Sequence, residues 1–491
     1  MKAIFNDKLS KKEISVETST VIFIIAAVSL FVLSNFIVGF SLPLYLFAVL
    51  FGFALSIVFP RSGFYAIVFL TVVFERFFTL VPIYWNRAEY KIYPLDILFV
   101  GVILGTIYQL IKNGLPRKLK IADYLVAIFI LASGAYFIAS AFLLHTDGAI
   151  AFSTFKNYAF YGLFYFAVVF LFDSKEKLLR LLKFFLAGAI VASVFVFIGI
   201  IRGEGLWTEF TPLSTPGTRI LAFPHAFFFT MALLISLLWI ALRKDSYSDF
   251  LKIMIPIWII GIVGSLMRHL WISLFISVVF LFFLLPKKNK KVLKNIFFHY
   301  AFFAAALFVL VAYVSFLFPQ ASISKVFNGA LGVAGQRFVS TAQVSSDESL
   351  NWRRSVWQAT WKDFQHSLVF GLGYGKKISV EIGLKYKDFV EVRNIHNSLL
   401  TIFIQMGLWS VALVVAMLWF LFKSVYFALR KSREKLGDTA FLRLAFLALF
   451  VNYLAAFLFQ TYLETNLLGI FFWIILGGLS ELGNNEIDEA K

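Results

Sequence analysis

The sequence predicts an all-α polytopic membrane protein, with about fourteen (12–14) transmembrane helices and one long extracytoplasmic loop that itself contains helix. Three observations carry this expectation. The 491 residues are 60% apolar, with a mean hydropathy of +0.85, against roughly 45–50% apolar in soluble domains. The apolar residues fall into runs that match the roughly 20 helical residues needed to cross a hydrocarbon core about 30 Å thick. Lysine and arginine gather between alternate runs.

Taken in order, the first runs are Val21 to Gly39, Leu42 to Phe59, Gly63 to Val81, Pro94 to Ile111, Ile121 to Leu144, Phe155 to Phe172 and Leu178 to Ile201. Then come Leu221 to Leu242, Leu251 to Gly264, Met267 to Leu285, Ile296 to Phe318, Ile395 to Phe422, Phe441 to Phe459 and Tyr462 to Leu482. The pair Leu251 to Gly264 and Met267 to Leu285 is short enough to be one broken helix. The first run follows Lys2, Lys8, Lys11 and Lys12 and continues for a full span's length, which is the pattern of a start-transfer helix rather than a cleaved signal.

Charge orients the chain. With the N-terminus in the cytoplasm, the inner loops hold Lys112, Arg117, Lys118 and Lys120; Lys175, Lys177, Arg180 and Lys183; Lys287 to Lys294; and Arg430 to Lys435. Outer loops hold scattered cations such as Arg87, Lys91, Arg202 and Arg219. Both termini are then cytoplasmic. The same pattern accounts for the net charge of +18 without a nucleic-acid partner. With no cysteine, disulfides and thiolate chemistry are excluded.

The chain divides into an N-terminal transmembrane bundle (1–318), an extracytoplasmic loop (319–394) and C-terminal transmembrane helices with a cytoplasmic tail (395–491). A connection this long inside a compact architecture is usually functional. It opens Gly-, Ser- and Ala-rich and turns helical near Ser349. There Trp357, Trp361, Phe364 and Leu368 recur at helical spacing, a stripe expected to rest on the membrane. Phe370, Gly371, Leu372, Gly373, Tyr374 and Gly375 mark a tight turn.

Outward-facing polar groups define the candidate chemistry: Arg219, Arg268, the pair Arg353 and Arg354, and Arg393 with His396 and Asn397. A guanidinium offers a planar fork of donors suited to phosphate oxygens; the plain alternative for Arg268 is a cation snorkelling from a helix end. His396 is fitted to act as a general base, since imidazole titrates near pH 6.5, and Asn397 to hold a sugar hydroxyl. The alternative for His396 is to cap a buried helix start. His225 follows Pro224 where a span begins, which is ordinary start chemistry, with a sugar contact as the functional reading. Glu75 with Arg76 forms a pair or an interfacial anchor, and Asp96 is read as helix-dipole chemistry. Tyr462 and Glu464, at the outer end of the last hairpin, are expected mainly at the surface, with lining of the pocket as the functional reading. No phosphate-binding glycine loop, metal-ligand spacing or Ser/His/Asp signature is present in the sequence, so no metal or cofactor is indicated.

Three of these stretches resemble the O-antigen ligases and O-antigen polymerases of bacterial envelopes. Arg353 and Trp357 through Phe370, Gly371, Leu372, Gly373 and Gly375 resemble that superfamily's arginine-and-tryptophan helix with its glycine turn. His396, Asn397, Leu400 and Gly407 resemble its histidine-asparagine motif, and Ser265 to Trp271 its span with a single arginine. The chain departs from the pattern at Ser367 and Leu368, where proline is common, and at Gln405, where glutamate is. The resemblance implies a multi-span (type C-like) glycosyltransferase in a bacterial inner membrane, needing no metal. It implies transfer from a polyprenyl-diphosphate-linked glycan to an acceptor hydroxyl at the extracytoplasmic face. His396 would be the base and Arg268, Arg353, Arg354 and Arg219 would hold the diphosphate. Ligase and polymerase differ in acceptor: a glycan, lipid or protein, or another lipid-linked chain. A transporter or flippase of the same lipid-linked sugar is the rival from another class.

Overall fold

The computed structural model describes residues 2–74, 83–85, 88–90, 93–202, 219–243, 245–320, 332, 348–382, 386–431 and 437–483. Glu75, Arg76 and most of the Gly-, Ser- and Ala-rich opening of the long loop lie outside them.

The chain is helical almost throughout. The first half contains α1 (Lys2–Val38), α2 (Leu42–Val58), α3 (Pro60–Phe74), a short hairpin of β1 (Ile83–Trp85) and β2 (Ala88–Tyr90), α4 (Pro94–Asn113), α5 (Ile121–Ile138), α6 (Gly148–Phe155), α7 (Leu163–Leu171), α8 (Lys175–Ala192) and α9 (Val194–Arg202). The second half continues with α10 (Phe223–Leu242), α11 (Ser246–Gly264), α12 (Arg268–Leu284), α13 (Lys287–Leu317) and α14 (Glu348–Phe364). It ends with the hairpin β3 (Lys377–Ile382) and β4 (Tyr386–Glu391), then α15 (Ser398–Met406), α16 (Leu408–Lys431), α17 (Asp438–Phe457) and α18 (Asn466–Leu482).

Among the described residues, eight helices are long and apolar enough to cross a membrane, and shorter apolar helices such as α2, α3, α12 and α18 accompany them. The protein is an all-α, multi-pass membrane protein. Each of the fourteen apolar runs coincides with helix over its described residues, which for Gly63 to Val81 end at Phe74, and Leu178 to Ile201 is divided at Ser193 between α8 and α9. The pair Leu251 to Gly264 and Met267 to Leu285 is two helices, α11 and α12, separated by a turn in which Leu266 adopts φ +55°. The run from Ile395 is interrupted at Gly407 (φ +82°), so the nine-residue α15 precedes the span proper, α16. The run from Phe155 opens with a π-helical turn, Lys156–Phe160, an insertion often found at functional positions.

Helices α10 and α17 are apolar on every face and almost wholly buried, 94% and 89% of their windows, so they form the centre of the bundle. Outer helices such as α5 and α16 bury only 22% and 28%, leaving Leu, Ile and Phe for lipid. At one end of the bundle Arg117 bonds Asp123 (2.7 Å) and Glu481 (2.5 Å), tying the α4–α5 loop to the end of α18. At the opposite end of α5, Ser140 accepts the backbone N–H of Tyr374 (2.7 Å). The long loop is therefore seated on the end opposite the Arg117 cluster.

That loop has its own small core. Val356 and Phe364 of α14 pack with Ile378, Val380, Val390, Val392, Ile395 and Ile404. The helix face that packs is thus Val356, Thr360 and Phe364, held against the β3–β4 hairpin and α15, and not the stripe expected to lie on a membrane. Trp357 and Trp361 stand on the flank, 40% and 52% exposed. The residue spacing allowed either stripe; the hairpin, absent from an all-helix reading, selects the one that is covered.

Candidate active site

The glycine-rich turn is built by close approach. Leu372 N–H donates to the Ile404 carbonyl (2.7 Å), Gly373 N–H to that of Gln405 (3.0 Å) and Leu408 N–H to that of Leu368 (2.9 Å). The turn therefore wraps the C-terminal end of α15. A Cβ on Gly407 would stand 1.9 Å from the Val369 carbonyl oxygen, so no side chain fits. Tyr374 is buried beneath, its hydroxyl 2.9 Å from Ser133 Oγ. Lys377 pairs with Asp147 (2.8 Å), and Arg393 donates to Ser153 (2.6 Å) and Glu391 (2.5 Å). These contacts fix the loop to the α5–α6 connection.

The rigid seat presents His396. Its φ of +61° lies in the left-handed region, which costs a non-glycine residue of order 1–3 kcal/mol and is concentrated at functional positions. Its Nδ1 is hydrogen-bonded to Gln460 Oε1, and its ring meets Trp352 edge-on, centroids 5.1 Å apart. The Gln460 side chain thus occupies Nδ1 and leaves Nε2 outside this bond. Burial, with Arg353 nearby, holds the imidazole below its ordinary pKa, and the Gln460 bond opposes them. The neutral form, the one able to take a proton, is favoured.

Arg353 is shared. It is an electrostatic neighbour of His396 and of His269, and Arg219 is a third neighbour of His269. Buried Arg219 also points NH1 at Met267 Sδ (3.5 Å). His269 lies in the first turn of α12, its Nε2 2.9 Å from the Tyr462 hydroxyl. Four elements distant in sequence thus converge: the segment before α10, the start of α12, α14, and the loop before α15. Arg268 opens α12 beside His269 and is half-buried.

The remaining candidates occupy other places. Arg354 is exposed on α14 and lines a surface groove with Trp357 and Trp361. Consecutive helical residues diverge by about 100°, so Arg353 and Arg354 serve different faces. Arg393 is engaged by Glu391 and Ser153. Asn397 caps α15, its Oδ1 accepting from Leu400 N–H (2.9 Å). His225 is buried apart from the cluster, bonded through Nε2 to the Val73 carbonyl (3.1 Å) and packed on Phe195. Buried Gln405 adds its backbone to the glycine turn.

Tyr462 and Glu464 are buried and not at the surface. Glu464 accepts from Ser398 Oγ and Tyr158 OH (2.5 Å each), while its carbonyl accepts from Asn157 Nδ2 (2.6 Å). Burial raises its carboxyl to about 7. The π-helical turn is what brings Asn157 and Tyr158 there together. Glu464 thus anchors the first residue of α15, two positions after His396. His269 and Gln460 are the contributors that the sequence did not single out, and Glu464 was read mainly as a surface residue. A histidine next to Arg268 was a usable signal; Gln460 gave none, being defined by a contact 64 residues away.

The architecture is that of a polytopic helical membrane protein with its polar cluster capped by a long loop. Residues 253–415 match the family model described as O-antigen ligase. This segment, from α11 into α16, contains Arg268, His269, Arg353, Arg354, Arg393, His396 and Asn397, and the match supports a similarity to the O-antigen ligase and polymerase superfamily over that part of the chain. No curated protein matches the chain.

Proposed function

We propose that the protein transfers a glycan from a polyprenyl-diphosphate donor to an acceptor hydroxyl at the extracytoplasmic face of a bacterial inner membrane. The observation that carries this reading is the convergence of His396, held by Gln460 through Nδ1, with Arg353 and Arg219 around His269 at one end of the helix bundle.

In the reaction, His396 Nε2 takes the acceptor's hydroxyl proton as that oxygen bonds the anomeric carbon. The bond from this carbon to the diphosphate breaks, and its electron pair stays on the diphosphate. Arg353, Arg219 and Arg268 stabilise the growing negative charge, which in a water-poor site is the largest contribution a few fixed donors can make. Gln460 positions the base and Glu464 positions the loop that carries it. The lipid tail runs between apolar helices, which accounts for the cluster lying where the long loop meets the end of the helix bundle.

Mass analysis of products tests the reading, using purified protein in liposomes with a polyprenyl-diphosphate glycan and candidate acceptors. Release of polyprenyl diphosphate together with a glycosylated acceptor is expected. The acceptor that is consumed separates ligase from polymerase. Movement of intact donor across the liposome without transfer would replace the enzyme reading with a transporter.

A further inference from the structure

We propose that the surface groove between α14 and β3 is a subsite for an anionic saccharide chain, holding the glycan beyond the sugar that reacts. The inference rests on the glycan-transfer reading above, and it names the substrate class that reading leaves open. The groove, about 810 Å³, is lined by Arg354, Trp357, Trp361, Lys362, Asp363 and Ser379, with Gln358 beside them.

Its chemistry is that of carbohydrate recognition. Trp357 and Trp361 stand one helical turn apart and are 40% and 52% exposed, giving two flat apolar faces on which the C–H faces of sugar rings can stack. Gln358 and Ser379 supply hydrogen-bonding groups for hydroxyls. Arg354 and Lys362 outnumber Asp363, a balance that suits a carboxylate or phosphate on the chain. The Trp357 indole is fixed: its Nε1–H donates to the Ile395 carbonyl (2.9 Å), the residue before His396. The groove therefore ends at the His396 loop. One helix presents Arg353 to the reacting centre and Arg354 to the groove, so a chain leaving the centre passes over α14.

A bilayer does not suit this surface. The apolar face of α14, Val356 with Phe364, is consumed by the loop's own core. Helices with a lipid-facing side, such as α13, expose Phe302, Phe308, Val309 and Phe316, whereas the groove is concave and mixes indoles with both signs of charge.

The test uses full-length protein in nanodiscs and two fluorescently labelled probes, a hexagalacturonate and maltohexaose, with binding followed by anisotropy. The acidic probe is expected to bind more tightly. Trp361→Ala and Arg354→Gln should each weaken it by about tenfold or more, a loss of about 1.4 kcal/mol; Trp357→Phe, which keeps an aromatic face, should weaken it less. With donors of different length, Trp361→Ala should lower kcat/KM for a many-repeat donor about tenfold and leave a single-repeat donor within about twofold. Absence of binding by both probes overturns the subsite, as does binding that ignores these substitutions or shows no preference for the acidic chain. Quenching of Trp361 by brominated lipid would assign the groove to the bilayer instead. Saccharide binding without any transfer would sink the glycosyltransferase reading and leave the subsite standing; transfer that is indifferent to the groove variants would do the reverse.

Discussion

In the proposed reaction one imidazole takes the proton: His396, whose pKa is lowered by burial and Arg353 and whose Nδ1 is held by Gln460. His396→Ala should abolish glycan transfer, a loss of at least about 10²-fold if the residue is the general base, while donor binding persists; wild-type turnover by that variant would end the assignment. Arg268→Lys replaces a planar fork with a point charge, and transfer should fall sharply; full activity would make Arg268 an anchor. The pH profile carries a sign. Since the base works when neutral and its pKa lies below the ordinary value of about 6.5, activity should persist at mildly acidic pH and fall only below that value. Arg353→Gln removes a like charge and should move the acid limb of kcat/KM upward; Gln460→Glu, adding a carboxylate, should move it further the same way. A limb that stays put in both would separate His396 from the titration. His396 and Arg268 were conspicuous in the sequence as polar groups at the mouth of an apolar run, and Arg353 as an arginine one helical turn before Trp357. Gln460 was not, because its meaning is a contact made across a hairpin.

Between residues and bundle stands the long loop, an element held by backbone-to-backbone fit. Gly407→Ala forces a left-handed φ on a side chain and a 1.9 Å approach to Val369, and should lower stability by at least about 2 kcal/mol with loss of transfer. Gly437→Ala is the control: a Cβ there meets nothing within 4 Å, so thermal unfolding should shift by no more than about 0.5 kcal/mol. Equal melting temperatures for the two variants would contradict the account. The helix, its start near Ser349 and the glycine turn could be read from spacing and composition. The packed face could not, since Val356, Thr360 and Phe364 compete with Trp357, Trp361, Phe364 and Leu368 for the same helical period, and only the β3–β4 hairpin decides between them.

At the scale of the whole molecule, the absence of native cysteine makes orientation directly measurable. Ser379→Cys, in the exposed groove, should react with an impermeant maleimide added to spheroplasts, and Ser246→Cys, exposed at the start of α11, only after the membrane is opened. The opposite pattern would invert the topology and with it the proposed face of the active site. Inside the bundle Lys156 pairs with Asp96 (3.0 Å), which also accepts from Tyr161 (2.7 Å). Lys156→Met should destabilise by about 3–5 kcal/mol, the cost of leaving a buried carboxylate without its cation, and a neutral effect on unfolding would show the pair to be dispensable. By itself, the sequence determined the class, the spans and the candidate arginines and histidine, because hydropathy, charge alternation and polar residues at span ends are local properties of the chain. The tertiary structure decided which of them meet: Arg353 turned in and Arg354 out, His225 set apart, and Gln460, Glu464 and His269 recruited. These are distances between segments remote along the chain, which only the packing of helices α10, α12, α14, α15, α17 and α18 specifies.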